Sequence, residues 1–136
     1  LMELSLLPVA ARDVAERLDG QSVDALNQET IIHFQSNLDA WELWARGVNL
    51  SEFRPRGSLT VDSMFSALQA AEQGLGVAQA VLPLCEERLS HGNLKTPFPD
   101  PIEIPESYYL LHRKADEVRP SVQKFREWIV TELKDL

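Results

Sequence analysis

The residues best placed to bind a ligand lie where an apolar run passes into a helical pattern. Residues 59–61 have the β-prone composition of a short strand, and Asp62 or Ser63 is a good N-cap for a helix whose apolar positions begin at Met64. A helix N-terminus of this kind presents free backbone N–H groups and a hydroxyl. We therefore predict either a plain helix cap or a turn that also holds an anionic or polar ligand.

Three further polar residues belong to the same hypothesis. Gln35 and Ser36 follow the apolar run 30–34, and ligands of open α/β sheets bind at the carboxyl ends of strands. Gln79 interrupts the apolar run 77–82, where a buried amide must find hydrogen-bond partners. Gln79 therefore either faces a wet cleft or lies near a sheet edge, and all three are candidate ligand-binding residues. Ordinary capping is the alternative for Ser36.

Catalytic and metal-binding patterns are weak in this sequence. His33, His91 and His112 are widely separated, and no pair has the i, i+4 spacing of a helical metal site. His33 lies in an apolar run, where a structural histidine is commoner than a ligand contact. Ser63 stands at a strand-to-helix turn, but its neighbours do not form G-x-S-x-G. We expect no metal, no cofactor and no catalytic residue, with Ser63 as the nucleophile of the alternative, a small α/β hydrolase.

Periodicity and turn residues predict alternating strands and helices, which is an α/β fold. The unit from residue 59 to residue 82 implies a right-handed crossover between parallel strands, with Gly74 ending its helix. The expected elements are a strand over 4–9, a helix over 10–18, a strand over 30–34, a helix capped by Ser36 or Asn37, a strand over 59–61, a helix from 64, a strand over 77–82, a helix opened by Pro83 over 84–89, a strand over 107–112 and a helix from Pro120.

Apolar spacing also predicts which helical residues are buried. Trp41 and Trp44 lie three residues apart on one helical face, which favours core packing over base stacking. Residues 97–105 contain four prolines and indicate an extended crossing segment. The other side chains expected on buried helical faces are Leu38, Met64, Phe65, Ala67, Leu68, Ala71, Val122, Phe125, Ile129 and Leu133.

Composition limits the classes of function. The chain has 136 residues, enough for one compact domain or one domain with a fragment of another, and its formal net charge is -8. This charge argues against a nucleic-acid surface, because DNA binding needs clustered Lys and Arg. The single cysteine, Cys85, suits a reducing compartment, and no stretch has the length of a membrane span or the features of a secretory signal. We expect a cytoplasmic protein that does not bind a membrane.

Five motifs in order resemble one family. These are DAWELWARGV, SLTVDSMFSALQAAEQGLGVAQAVLP, LSHGNLKTPF, SYYLLHRK and VQKFREWIVTEL, which together span most of the chain. They are similar to the effector-binding domain of LysR-type transcriptional regulators, in the subgroup of the glycine-cleavage-system activator and the β-lactamase regulator. The resemblance implies a fold like that of type 2 periplasmic binding proteins, with an open, mostly parallel sheet flanked by helices.

The resemblance also implies a domain division and a set of partners. Residues 1–7 would end subdomain I and cross over, residues 8–106 would form a complete subdomain II, and residues 107–136 would return to a partial subdomain I. A small-molecule effector would bind between the subdomains, contacting Asp62, Ser63 and Met64, and further Gln35, Ser36 and Gln79. The regulator would form homo-oligomers and bind DNA through a helix-turn-helix that is absent from this chain. A solute-binding protein of a transport system is the alternative from another class.

Overall fold

The structure, a computed structural model, describes residues 1–135 and divides the chain into two compact units. Unit 2 is Ser5–Glu103, and unit 1 combines Leu1–Leu4 with the chain from Ile104 onward. The elements in chain order are β1 (Met2–Ala11), α1 (Arg12–Leu18), β2 (Thr30–Phe34), α2 (Ala40–Gly47), β3 (Gly57–Val61), α3 (Met64–Glu72), β4 (Ala78–Leu82), α4 (Glu86–His91), β5 (Leu94–Lys95), β6 (Ile102–Tyr108) and α5 (Pro120–Glu132), with short 3₁₀ turns at Val23–Gln28, Gln35–Asn37, Lys114–Asp116 and Leu133–Asp135.

The sheet of unit 2 combines parallel and antiparallel pairs. β2 and β3 are parallel, and a parallel bridge from Ile31 to Val77 joins β2 to the start of β4. β3 and β4 therefore run in the same direction, as the crossover prediction requires, with β2 between them. β1 pairs antiparallel with both β4 and β5, so the pairing is mixed where we expected it to be mostly parallel. The reason is that β1 runs in the opposite direction to β2, β3 and β4, so its pairing in this sheet is antiparallel.

Two tryptophans of α2 are the largest fully buried side chains of the core. Trp41 and Trp44 are almost fully buried and make an edge-on contact with ring centroids 5.8 Å apart. The Trp41 Nε1–H donates to the Ile32 carbonyl oxygen at 2.9 Å, which ties α2 to β2. Gly47 ends this helix against the Ile102 side chain, with no room for a Cβ. The prediction that these tryptophans pack in the core is confirmed.

The helix α3 begins and ends where the sequence predicts. Ser63 is its N-cap, and Gly74 follows its C-cap in the left-handed conformation with φ 77°. The Gly74 N–H donates to the Ala71 oxygen and the Leu75 N–H to the Ala70 oxygen, which is the Schellman pattern. The buried face of α3 consists of Ala67, Leu68 and Ala71.

Several element boundaries differ from the prediction. The Ser36 or Asn37 cap is wrong, because residues Gln35–Asn37 form their own 3₁₀ turn and α2 begins only at Ala40. Pro83 does not open α4, because a turn closed by the Glu86 N–H on the Pro83 oxygen comes first. Likewise, α1 starts at Arg12 because the two residues before it pair with β5.

Two predicted buried side chains of unit 2 are exposed. Leu38 is 55% exposed because it precedes α2 and does not share its buried face. Phe65 is 61% exposed because it lies in the first turn of α3, away from the alanine face.

Unit 1 differs most from the sequence prediction. Its strand is Ile102–Tyr108, which begins five residues before the predicted 107–112 and includes Pro105. A proline is tolerated there because, among the described residues, β6 pairs with β1 on one side only, which makes it an edge strand. The helix α5 starts at Pro120 as predicted. Of the predicted buried stripe, Val122, Ile129 and Leu133 are partly buried, whereas Phe125 is 50% exposed. The predicted domain boundaries stay predictions, and residue 136 lies outside the described residues.

Candidate functional site

The paired ends of β2 and β3 bring two polar turns to one edge of the sheet of unit 2. The parallel register runs to the last pair, Phe34 with Val61, so Gln35 and Asp62 leave the sheet side by side. β2 is rich in β-branched residues and β3 ends in Thr60 and Val61, whereas the residues that follow each strand are polar and turn-forming. The sequence therefore places Gln35 and Asp62 at the edge where ligands of parallel strands bind.

Three polar side chains are linked at the N-terminus of α3. Ser63 Oγ accepts from the Ser66 N–H at 3.2 Å and lies 3.0 Å from Ser66 Oγ. Ser66 Oγ donates to Asp62 Oδ1 at 2.6 Å, a short charge-assisted hydrogen bond. The turn is therefore held in one conformation by its own side chains.

These hydrogen bonds determine the charge of the turn. The Ser66 hydroxyl, and after it the Ser63 hydroxyl, lower the pKa of the Asp62 carboxyl below its ordinary value because both stabilise the ionised form. Asp62 is exposed, so its carboxylate is available to a ligand. By helix geometry the Met64 and Phe65 N–H groups have no intrahelical acceptor. The turn thus offers one anionic acceptor beside backbone donors.

Met64 joins this turn to the interior of unit 2. Its side chain is half-buried, and its Sδ accepts from the Cys85 Sγ–H at 3.6 Å. Cys85 is buried, and this burial raises the pKa of its thiol. The Cys85 side chain at this contact is therefore a neutral thiol at physiological pH, and it supports the first residue of α3.

The remaining predicted ligand residues have different surroundings. Gln35 and Ser36 are exposed on the 3₁₀ turn after β2, at the same edge as Asp62. Gln79 is fully buried within β4, opposite Pro8 of β1, and its amide oxygen and nitrogen have no hydrogen-bond partner among the described residues. The structure thus brings Gln35 and Ser36 to the edge with Asp62, but it encloses Gln79 in the sheet.

Ser66 was not among the site residues predicted from the sequence. Ser66 bonds both to Asp62, four residues before it, and to Ser63, three residues before it. The sequence did contain a signal for Ser66, because a polar residue three positions after a serine N-cap has the spacing of a capping box. The contact between Met64 and Cys85 has no comparable signal, since it joins residues 21 apart in sequence.

Ser63 has the hydrogen bonds of a helix N-cap. Ser63 Oγ accepts from the Ser66 N–H as the helix cap, and the Ser63 hydroxyl also contributes to the lowered pKa of Asp62. Residues 1–135 contain no group of three or more His, Cys, Asp or Glu side chains that could hold a metal ion. In the same range no helix has both the length and the apolar character needed to cross a bilayer.

Comparison with known proteins gives concordant matches. A family model described as the LysR substrate binding domain matches residues 1–134. The glycine cleavage system transcriptional activator homolog of Haemophilus influenzae is 26% identical over 134 residues, which cover 98% of this chain and 44% of that relative. The HTH-type transcriptional activator AmpR of Pseudomonas aeruginosa is 28% identical over 131 residues, which cover 96% of this chain and 43% of that relative.

A solved structure extends this likeness to the fold. The effector domain of AmpR from Pseudomonas aeruginosa superimposes with a TM-score of 0.80 and 26% identity, covering 97% of this chain and 61% of that domain. The type 2 periplasmic-binding-protein-like fold class is thereby confirmed, as is the predicted subgroup. The chain spans less than half the length of the two curated relatives. It belongs to the LysR substrate-binding-domain family.

Proposed function

We propose that this chain is the effector-sensing part of a longer LysR-type transcriptional regulator. Its role is to bind a small molecule and so to modulate DNA binding and transcription by the intact protein. The observation that carries the proposal is the shared sheet edge, where Gln35 and Ser36 lie beside Asp62 and Ser63 in a chain of this family. The relatives named above are transcriptional activators, which favours this role over transport or hydrolysis.

The chemistry of the α3 turn indicates the class of ligand. Backbone N–H groups and the positive end of the α3 dipole attract an anionic group. The Asp62 carboxylate is held ionised by Ser66 and attracts a cationic or strongly donating group. A ligand that carries both kinds of group, such as a small zwitterion, satisfies the turn better than a simple anion.

Regulation would follow from differential affinity. A ligand shifts an equilibrium between two arrangements of a protein only as far as it binds one of them more tightly. In the intact regulator, as the family resemblance implies, a helix-turn-helix outside this chain contacts DNA and the protein assembles as a homo-oligomer. Effector binding would change how that oligomer holds DNA.

Amide chemical shifts of the isotopically labelled chain test this function. Glycine serves as the simplest zwitterionic probe, with acetate and ethylammonium as probes for each charge alone. Glycine is expected to shift the amide resonances of Asp62, Ser63 and Met64 more than either control, because only glycine satisfies both parts of the turn. Shifts confined to other residues, or an equal response to acetate, would contradict the assignment.

An Asp62→Asn variant sharpens the comparison. It removes the negative charge but keeps an oxygen that can accept from Ser66. The amide shifts induced by glycine should become smaller, because the attraction between the Asp62 carboxylate and the ammonium group is lost. The amide shifts induced by acetate should become larger, because the repulsion between the carboxylates of Asp62 and acetate is lost. Unchanged responses to both probes would show that Asp62 does not contact the ligand.

A further inference from the structure

Three polar side-chain atoms in the core of unit 2 have no hydrogen-bond partner among the described residues. They are Nε1 of Trp44 and both amide atoms of Gln79, and both side chains are fully buried. Buried polar groups of folded proteins almost always form hydrogen bonds, because giving up those to water without replacement costs free energy. The indole N–H needs an acceptor, whereas the amide needs both a donor and an acceptor.

The register of the sheet determines the face on which Gln79 lies. Successive side chains of a strand point to opposite faces, and residues paired in register share a face. Ile31 is paired with Val77, so Gln79, two residues after Val77, lies on the face of Ile31 and not on that of Ile32. Its partner in β1 on this face is Pro8, which is also fully buried.

The handedness of the crossovers places α2 over this face. β2 lies between β3 and β4, so the crossovers through α2 and α3 run in opposite directions along the sheet, and because crossovers between parallel strands are right-handed the two helices cover opposite faces. The Ile32 N–H points toward β4 and donates to the Val77 oxygen at 2.9 Å. For an L-residue in that orientation, the side chain lies on the face covered by a right-handed crossover from β3 to β4, which is the α3 face. Gln79 therefore lies on the opposite face, beneath the helix that carries Trp44.

We propose that a water molecule enclosed between α2 and the sheet binds Gln79 and Trp44 together. A buried water typically makes about three hydrogen bonds to polar groups that lack other partners. This water accepts from the Trp44 Nε1–H and from the Gln79 Nε2–H and donates to Gln79 Oε1, so it provides a partner for all three atoms. Trp41 ties α2 to β2 through the Ile32 carbonyl, and the water ties the same helix to β4.

Water–protein cross-relaxation in NMR spectra tests this site on the unaltered chain, without any ligand at the α3 turn. Cross-peaks at the water frequency are expected for the Trp44 Nε1–H and for the Gln79 side-chain amide protons, with the sign of a water held longer than surface water. The Trp41 Nε1–H is the internal control, because it is equally buried but donates to a protein carbonyl. A cross-peak missing at either Trp44 or Gln79 would overturn the proposal.

Stability measurements test whether the two side chains share one partner. Gln79→Leu should lower the urea midpoint, because the Trp44 N–H loses its acceptor, whereas removal of an amide that has no partner would raise it. The double variant with Trp44→Phe should lose less stability than the sum of the two single variants. Gln79→Leu combined with Trp41→Phe is the matched control, and its two effects should add. Far-UV circular dichroism checks that each variant is folded.

Two outcomes of these measurements would contradict a shared water. One is a higher urea midpoint for Gln79→Leu, which would mean that its amide is buried without a partner. The other is additivity of Gln79→Leu and Trp44→Phe, which would mean that the two side chains bind nothing in common.

Discussion

Ser66 is the residue on which the geometry of the candidate site depends. Its hydroxyl donates to Asp62 and contacts the Ser63 hydroxyl, and the first of these bonds is the main reason for the lowered pKa of Asp62. Ser66→Ala should therefore raise the pKa of Asp62 toward its ordinary value. A pH titration of the Asp62 carboxyl carbon by NMR measures this change. Ser66→Thr keeps the hydroxyl and should leave the pKa low.

The same substitution should change how stability depends on pH. Because the pKa of Asp62 is lower in the folded state, its contribution to stability is fully present above the unfolded pKa of about 3.9 and is lost as pH falls through the folded value. Ser66→Ala should thus be less stable than the wild type at neutral pH, and the difference should shrink in acid. Ser90→Ala, at a serine of α4, is the control. A difference that is constant with pH would contradict this origin.

At the scale of single residues, the sequence predicted part of the candidate site. Asp62 and Ser63 could be predicted because a cap follows from local spacing, and the structure confirms Ser63 as the cap. The buried position of Gln79 could not, because it depends on pairing with β1, some 70 residues earlier in the chain. No local pattern specifies which strand of a sheet becomes internal.

At the scale of the elements, two glycines that bound the α3–β4 connection have different roles. Gly74 has φ 77°, and a Cβ there would meet nothing within 4 Å. Gly76 approaches the Thr30 carbonyl so closely that a Cβ would overlap its oxygen, which accepts from the Val77 N–H at 2.9 Å. That hydrogen bond belongs to the bridge that connects β2 to β4.

Alanine substitutions should separate these two roles. Gly74→Ala is expected to cost about 1 kcal/mol of the free energy of unfolding, because only the left-handed backbone is penalised. Gly76→Ala should cost about 3 kcal/mol, because the backbone of β2 has to move away. Urea denaturation of both variants measures the difference. Equal decreases in the free energy of unfolding would mean that the close approach of Gly76 to Thr30 does not affect the stability of the Gly76→Ala variant.

The elements themselves were predictable to different degrees. The observed bounds of β2 and α3 agree closely with the predicted ones, since each element has strong local signals at both ends. The start of α4 was wrong because Pro83 suits a turn as well as the first position of a helix. The stripe of α5 has helical spacing, but periodicity shows which side chains share a face and not whether a partner covers them.

At the scale of the whole molecule, five ordered motifs predicted the family and fold, because several weak local signals in one order are seldom coincidental. The strand order was not predictable in the same way. β1 pairs with β4 and β5, so the sheet is assembled from segments distant in sequence. Long-range pairing leaves little trace in local composition.

Net charge gives a prediction that concerns the entire chain. With 21 acidic and 13 basic side chains, its formal charge of -8 repels the phosphate backbone of DNA. Sequence-independent affinity comes from releasing counterions, which requires clustered Lys and Arg, and each phosphate contact steepens the salt dependence. The chain should therefore give no saturable rise in fluorescence anisotropy with labelled duplex DNA at physiological salt.

The same titration at low salt distinguishes the origin of any weak signal. A non-specific contact through a local basic segment would disappear steeply as salt is added, whereas specific recognition of base edges would survive. A basic DNA-binding domain of similar size is the positive control. Saturable binding that persists at physiological salt and prefers one duplex sequence would contradict the prediction, and it would place a DNA-reading surface inside this chain.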